Sequence, residues 1–352
     1  MLIRDVAALL RCPACGAGSL QCAAIREGAA DGILDGVLWC SRCRAWYAVE
    51  DGLLELLAGG LAYRDDRRRF WEANAPFLKR LDLRPDKDQP QPAAADPRAT
   101  QQTHFDWYAA NESQSYCEYE QTPFWTAVDR LTYAPWRREI RRRGGLLLDI
   151  GCAQGRSSFK FMDLDVNIVG IDISKCLVRQ AIERYRNSPH RATATFLAAD
   201  ASLLPLSSGC FDYVLVYGVL HHLPNPAKTC VEVARVLRAG GVYFGSENNQ
   251  TVFRVIFEIL QRISPIWHEE AGPEAVISPD RVRSWFAPCG MSLAITTTVF
   301  LPPHLINLTS HETAYRLLKA TDWLAQAIPV LKKNGGLIVM RGVKTGGGPS
   351  TG

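Results

Sequence analysis

Two cysteine hooks, Cys12-Pro13-Ala14-Cys15-Gly16 and Cys40-Ser41-Arg42-Cys43, stand near the start of the chain. A Cys-x2-Cys turn presents two thiolates to one ion, and a pair of such turns closes the tetrahedral shell that zinc prefers. Four sulfur ligands leave no place for water, so the ion they imply is structural. Binding of this kind contributes on the order of 10 to 16 kcal/mol near neutral pH. The same spacing would also serve four free core thiols or a redox pair. The other cysteines, Cys22, Cys117, Cys152, Cys176, Cys210, Cys230 and Cys289, show no repeat.

A second constellation begins at Leu146-Leu147-Leu148-Asp149-Ile150-Gly151-Cys152-Ala153-Gln154-Gly155-Arg156, an apolar strand running into a glycine turn and a helix. Gly151 and Gly155 let the backbone pass close to a ligand. Dinucleotide dehydrogenases open in the same way, so the features that follow decide. Asp172 ends the next strand, where a carboxylate can accept from a ribose diol. Asp200-Ala201 follows the third strand, where an acid and a backbone N–H can read an adenine edge. CFDYVLVYGVLHHLPNP and VARVLRAGGVYF supply a fourth and a fifth strand.

Read together, DIGCAQG, FDYVLVYGVLHHLPNP and RVLRAGG resemble the class I S-adenosylmethionine-dependent methyltransferases, especially their small-molecule branch. That resemblance covers roughly 145 to 247 and extends by architecture to about 344. It implies S-adenosylmethionine as cofactor. Asp149 would anchor the loop, and Gly151 and Gly155 would border the methionine part. Asp172 would take the ribose, Asp200 and Ala201 the adenine, and Tyr217 with Gly218 the far wall. Ala153 stands where many members have a glycine, and its methyl is tolerated if φ there stays negative. The N-terminal pattern LRCPACGAGSL, DGVLWCSRC and AWYAVEDGLLELL is similar to the small zinc-ribbon proteins that bind and activate RNA and protein methyltransferases. It implies a docking or stabilising module for the domain behind it.

A sulfonium cofactor carries its own reactivity, so the protein chiefly positions the acceptor, which can supply roughly 7 to 11 kcal/mol of the barrier. A hydroxyl acceptor also needs a base. His221 and His222 follow the fourth strand and are candidates, with bracing of the loop as their structural alternative. Glu247, His268, Glu269 and Glu270 are further candidates.

The elements that must hold these residues follow from apolar runs alternating with helical stretches, the pattern of a doubly wound α/β sheet, Rossmann-like and seven-stranded. Strands are expected at Leu146 to Ile150, Asn167 to Ile171, Ala194 to Ala198, Tyr213 to Tyr217, Gly241 to Gly245, Ser292 to Val299 and Leu337 to Arg341. Helices are expected at Arg156 to Met162, Lys175 to Arg186 and Pro226 to Leu237. Residues 1–58 read as the four-cysteine unit, 59–104 as a basic helix and flexible linker, 105–344 as the catalytic domain and 345–352 as a disordered tail. TVFRVIFEILQRISPIW, 251–267, is apolar on more than one face and reads as a lid over an acceptor pocket or as sheet packing. Residues 300–330 form an inserted helical element.

The 352 residues carry a net charge of +4, too small to mark a nucleic-acid coat or a membrane binder. Residues 1–58 hold five Arg (Arg4, Arg11, Arg26, Arg42, Arg44) against seven acids, the wrong sign for gripping phosphates. RDDRRR at 64–69 and WRREIRRR at 136–143 keep an RNA base methyltransferase as an alternative, although the only nearby Asn-Pro, Asn225-Pro226, is followed by Ala-Lys and does not form the motif that grips a flipped base. A non-catalytic scaffold is a third reading. The expectation is a methyltransferase acting on a small-molecule or lipid- or sugar-linked acceptor at O, N or C. With no long apolar run and no basic leader, it is expected in the cytoplasm.

Overall fold

The computed structural model describes residues 4–28, 32–86, 96–112, 117–251 and 277–346, with positions 259 and 263. Its strands are β1 (Gln21–Glu27), β2 (Ile33–Trp39), β3 (Trp46–Glu50), β4 (Leu53–Glu55), β5 (Leu146–Ile150), β6 (Asn167–Asp172), β7 (Thr193–Ala198), β8 (Phe211–Tyr217), β9 (Leu237–Asn248), β10 (Met291–Thr298) and β11 (Leu337–Lys344). All belong to one sheet in the order β1-β2-β3-β4-β7-β6-β5-β8-β9-β11-β10. From β7 onward this is the expected seven-stranded, doubly wound arrangement. It is parallel through β9, with β11 antiparallel between β9 and β10.

The four-cysteine unit extends that sheet. β4 runs parallel to β7 with Leu54 opposite Leu197 and Glu55 opposite Ala198. Because side chains alternate along a strand, Leu54 and Leu56 enter the core on one face, with Leu148, Ile150 and Val214. Leu53 and Leu57 enter the core on the other, with Leu147, Tyr213 and Leu215. The 58-residue unit therefore shares both cores with the larger domain.

The helices are α1 (Arg4–Ala7), α2 (Arg64–Arg80), α3 (Pro97–Asn111), α4 (Pro123–Arg143), α5 (Lys175–Arg186), α6 (Pro226–Val236), α7 (Pro279–Phe286), α8 (Pro303–Ile306) and α9 (His311–Ala327). Two expectations need correction here, and a third lies outside the described residues. The polar stretch 84–104 is not all linker: α3 begins inside it, capped by Asp96, whose side chain accepts from Arg98 N–H, and Pro97 sits at the one helical turn that needs no N–H from it. The helix expected from Arg156 to Met162 is only a 3-10 turn, Ser158–Phe161. The segment 251–267 expected as a lid lies outside the described residues apart from Thr251, Ile259 and Ile263, as do His268, Glu269 and Glu270. No described helix is long and apolar enough to cross a membrane.

Arg67, Arg68 and Arg69 of the first arginine run and Arg137 and Arg141 of the second are tied to acids. Arg67 is buried with its guanidinium 4.2 Å from the centre of the Trp46 ring, and pairs with Asp86. Arg68 pairs with Asp65 and Arg69 with Asp66. On α4, Arg137 and Arg141 share Asp163, while Glu139 holds Arg341.

Candidate active site and cysteine cluster

The two hooks fold as twin knuckles. Gly16 N–H donates to the Cys12 carbonyl at 2.8 Å and Arg44 N–H to the Cys40 carbonyl at 2.9 Å, and both residues stand at positive φ. Gly16 suits that conformation, whereas Arg44 adopts it with a side chain. The four Sγ atoms lie within 4.8 Å of one another, with Cys12 to Cys43 and Cys15 to Cys40 both 3.6 Å apart. A tetrahedron with metal–sulfur bonds of about 2.3 Å has edges of about 3.8 Å. The cluster has the size of such a shell.

A cavity of about 850 Å³ opens at the carboxyl ends of β5 through β8. Sheet order reverses there, with β5 flanked by β6 and β8, the place where open α/β sheets take ligands. Gly151 makes the sharp exit from β5 at φ +70°, and a Cβ there would fall 2.3 Å from Val219. Ala153 corrects the expectation made for it: its φ is +45°. The loop needs a left-handed residue at this position, and an alanine there costs roughly 1 to 2 kcal/mol. Its N–H donates to Asp172 Oδ2 at 2.9 Å, which holds it in place.

Asp172 and Asp200 line the cavity, as do Gly151, Ala201, Tyr217 and Gly218. Each Asp172 oxygen accepts one backbone N–H, from Ala153 and from Ser174. A carboxylate has about four lone-pair sites, so two remain for a diol. Burial pushes the Asp172 carboxyl up to about 6. Asp200 accepts from Ser202 N–H at 2.7 Å through Oδ1, and from Ser202 Oγ and Arg98 Nη1 through Oδ2. Asp149 and Gly155 stand behind the wall. Asp149 accepts from Ser158 Oγ at 2.6 Å and is pushed up to about 7 by burial. Gly155, at φ +86°, leaves room for the Phe159 ring.

Tyr217 closes the far side, stacked on Tyr133 at 5.3 Å between ring centres. Beyond it, the buried Glu247 at the end of β9 holds the loop after β8. Its Oε1 accepts from Val219 and Leu220 N–H, and its Oε2 lies 2.7 Å from His221 Nδ1. That bond places the proton on Nδ1 and leaves Nε2 as the basic nitrogen. His222 is held well below the usual histidine range, by burial first and then by His221 and His104, and is therefore neutral. Its ring meets the edge of Phe105 at 5.2 Å between centres.

Helix α3 supplies a wall the sequence reading missed. Arg98, Gln101, Phe105 and Tyr108 recur at helical spacing on the face turned to the cavity. From its other side Asp106 accepts from Tyr63 Oη and Ser174 Oγ. The spacing was visible in the sequence, but the composition around it suggested a linker.

The fold and this cavity define an α/β domain of the class I S-adenosylmethionine-dependent methyltransferase kind. Residues 148–245 match the family described as "Methyltransferase domain", and this segment is a methyltransferase domain. Over 108 residues, 29% of this chain and 31% of the relative, the chain is 37% identical to an uncharacterized chloroplastic methyltransferase of Arabidopsis thaliana. Over 135 residues, 38% of this chain and 50% of the relative, it is 33% identical to the 27-O-demethylrifamycin SV methyltransferase of Amycolatopsis mediterranei. The chain thus spans a third to a half of the length of these curated relatives. A solved SAM-dependent methyltransferase of Thermotoga maritima is 14% identical with a TM-score of 0.47, covering 70% of this chain and all of that one.

Proposed function

We propose that the protein methylates a hydroxyl oxygen of a small-molecule acceptor, using S-adenosylmethionine, and that zinc in the four-cysteine cluster is structural. The observation that carries the first part is the His221–Glu247 pair at the rim of the cavity. The two Asp172 lone pairs fit a ribose diol, Asp200 Oδ1 and the Ala201 backbone suit an adenine edge, and the Gly151 turn admits close backbone approach. When bound, the cofactor supplies an electrophilic methyl group on a sulfonium. This chain does the rest. Phe105, Tyr108, Trp125 and Leu301 line the cavity and exclude water, and His221 Nε2 receives the hydroxyl proton. Glu247 is a positioning residue that fixes the imidazole and favours its charged form. The name of the rifamycin relative, a 27-O-demethyl substrate, agrees with an oxygen acceptor. The ion pairs of Arg67, Arg68, Arg69, Arg137 and Arg141 engage much of both arginine runs, which counts against RNA.

The test is S-adenosylhomocysteine release across a panel of hydroxylated acceptors. His221→Gln should lower kcat by roughly 10² to 10⁴-fold with cofactor affinity kept, and should remove the acid limb of the pH–rate profile. Equal turnover in wild type and variant would sink the assignment of the base.

A further inference from the structure

Helix α9 is apolar on two sides. Its inner side is accounted for: Ala314 and Leu318 join Phe124, Ala127 and Val128 in a buried cluster. Its outer side is not. Of the thirteen exposed large apolar residues among the described ones, seven lie between positions 305 and 330. Trp323 is 74% exposed, Leu324 54% and Val330 75%. Leu317, Ala320, Leu324 and Ala327 are exposed at helical spacing, so they form a stripe and not a scatter.

The charge beside this stripe is one-sided. Arg316, Lys319, Lys332 and Lys333 are all exposed. Of the two acids on the helix, Glu312 pairs with Arg130 and Arg316, and Asp322 turns inward to accept from Val299 N–H. A tryptophan and aliphatic side chains edged by lysines form the composition that settles at a bilayer interface carrying anionic headgroups. The chain that leads into α9 starts at the cavity. Phe300 to Pro303 line the cavity, and Leu305 and Leu308, exposed by 57% and 84%, follow directly on α8 and just beyond it.

We infer that the outer face of α9, with Leu305, Leu308 and Val330 at its ends, docks on an anionic membrane surface and brings the cavity rim to the bilayer. This goes beyond the methyl-transfer reading and stands whether or not His221 is the base.

The test is co-sedimentation of the full chain with phosphatidylcholine vesicles and with mixed phosphatidylcholine–phosphatidylglycerol vesicles. The wild type should sediment with the mixed vesicles and be released by salt. Trp323→Ser with Leu324→Ser should weaken binding about tenfold or more, as should Lys332→Glu with Lys333→Glu. Unchanged melting temperature and S-adenosylmethionine affinity would show that both variants fold. The proposal is overturned if the wild type does not bind mixed vesicles, or if the apolar variant binds as well as wild type. It is also overturned if sedimentation velocity shows a dimer that the apolar variant dissolves, since the face then belongs to a second copy.

Discussion

Arg98 Nη1 and Asp200 Oδ2 stand 3.0 Å apart, joining residues 102 positions distant in the chain. The bond ties the first turn of α3 to the loop that follows β7, so the wall of the cavity and the acid proposed for the adenine are held together. A half-exposed pair of this kind is worth up to about 1 kcal/mol. Arg98→Ala should therefore weaken S-adenosylmethionine binding about two- to fivefold by calorimetry. Asp200→Asn should cost more, because it alters the acceptor itself.

The ribose contact proposed for Asp172 makes cofactor binding depend on pH. Its carboxyl is raised from 3.8 to about 6 because it is buried, so the folded protein takes up a proton on acidification that the unfolded chain would not. Protonation turns one ribose acceptor into a donor. Cofactor Kd should rise by about tenfold for each pH unit below 6 and stay flat above 7. Asp172→Asn should bind weakly at every pH, with the slope gone.

Asp149 bears on stability. Burial raises it from 3.8 to about 7. A raised folded value stabilises fully below the unfolded value near 3.8, and this contribution is lost as pH rises through about 7. Asparagine keeps an oxygen for Ser158 and carries no charge. Asp149→Asn should melt several degrees above wild type at pH 8, and the gap should narrow steadily below pH 7 and close near pH 4. Equal melting temperatures at pH 8 would contradict this.

The cysteine cluster should hold one zinc per chain, measured by elemental analysis of the purified protein. Chelation or Cys43→Ser should lower the melting temperature by about 10 °C or more. It should also weaken cofactor binding. Arg11 N–H, next to the first knuckle, donates to the Pro205 carbonyl at 2.9 Å, and Ser207 N–H donates to the Leu9 carbonyl at 2.8 Å. These bonds pin the chain just beyond Asp200.

What could be read from the sequence was what is local. The knuckles and the β5 turn announce themselves because their geometry depends on residues a few positions apart, and Gly151 and Gly155 do occupy positive φ. Pairings across the chain left no such mark. Nothing near Leu54 signals a parallel partner at Leu197, and the Glu247 that orients His221 lies 26 residues beyond it on the neighbouring strand. Ala153 misled in the opposite sense: its type argued for negative φ, and the loop's own hydrogen bond overrode that preference. In α3 the face pattern was present but masked by Gln, Ala and Asp.

The joint between β4 and β7 sets an order of events during synthesis. The ribosome completes the knuckles and β4 first, and the strand that must lie beside Leu53–Glu55 is not made until Thr193–Ala198. Over that interval the nascent unit presents an open hydrogen-bonding edge, the kind that recruits wrong strands. Lys175 emerges before β7 and already offers Glu50 and Glu55 a buried counter-charge. Tyr63, made earlier still, donates its N–H to Glu55 Oε1 at 3.0 Å, so in the finished fold polar partners from both sides of the interval meet at the edge that β7 covers.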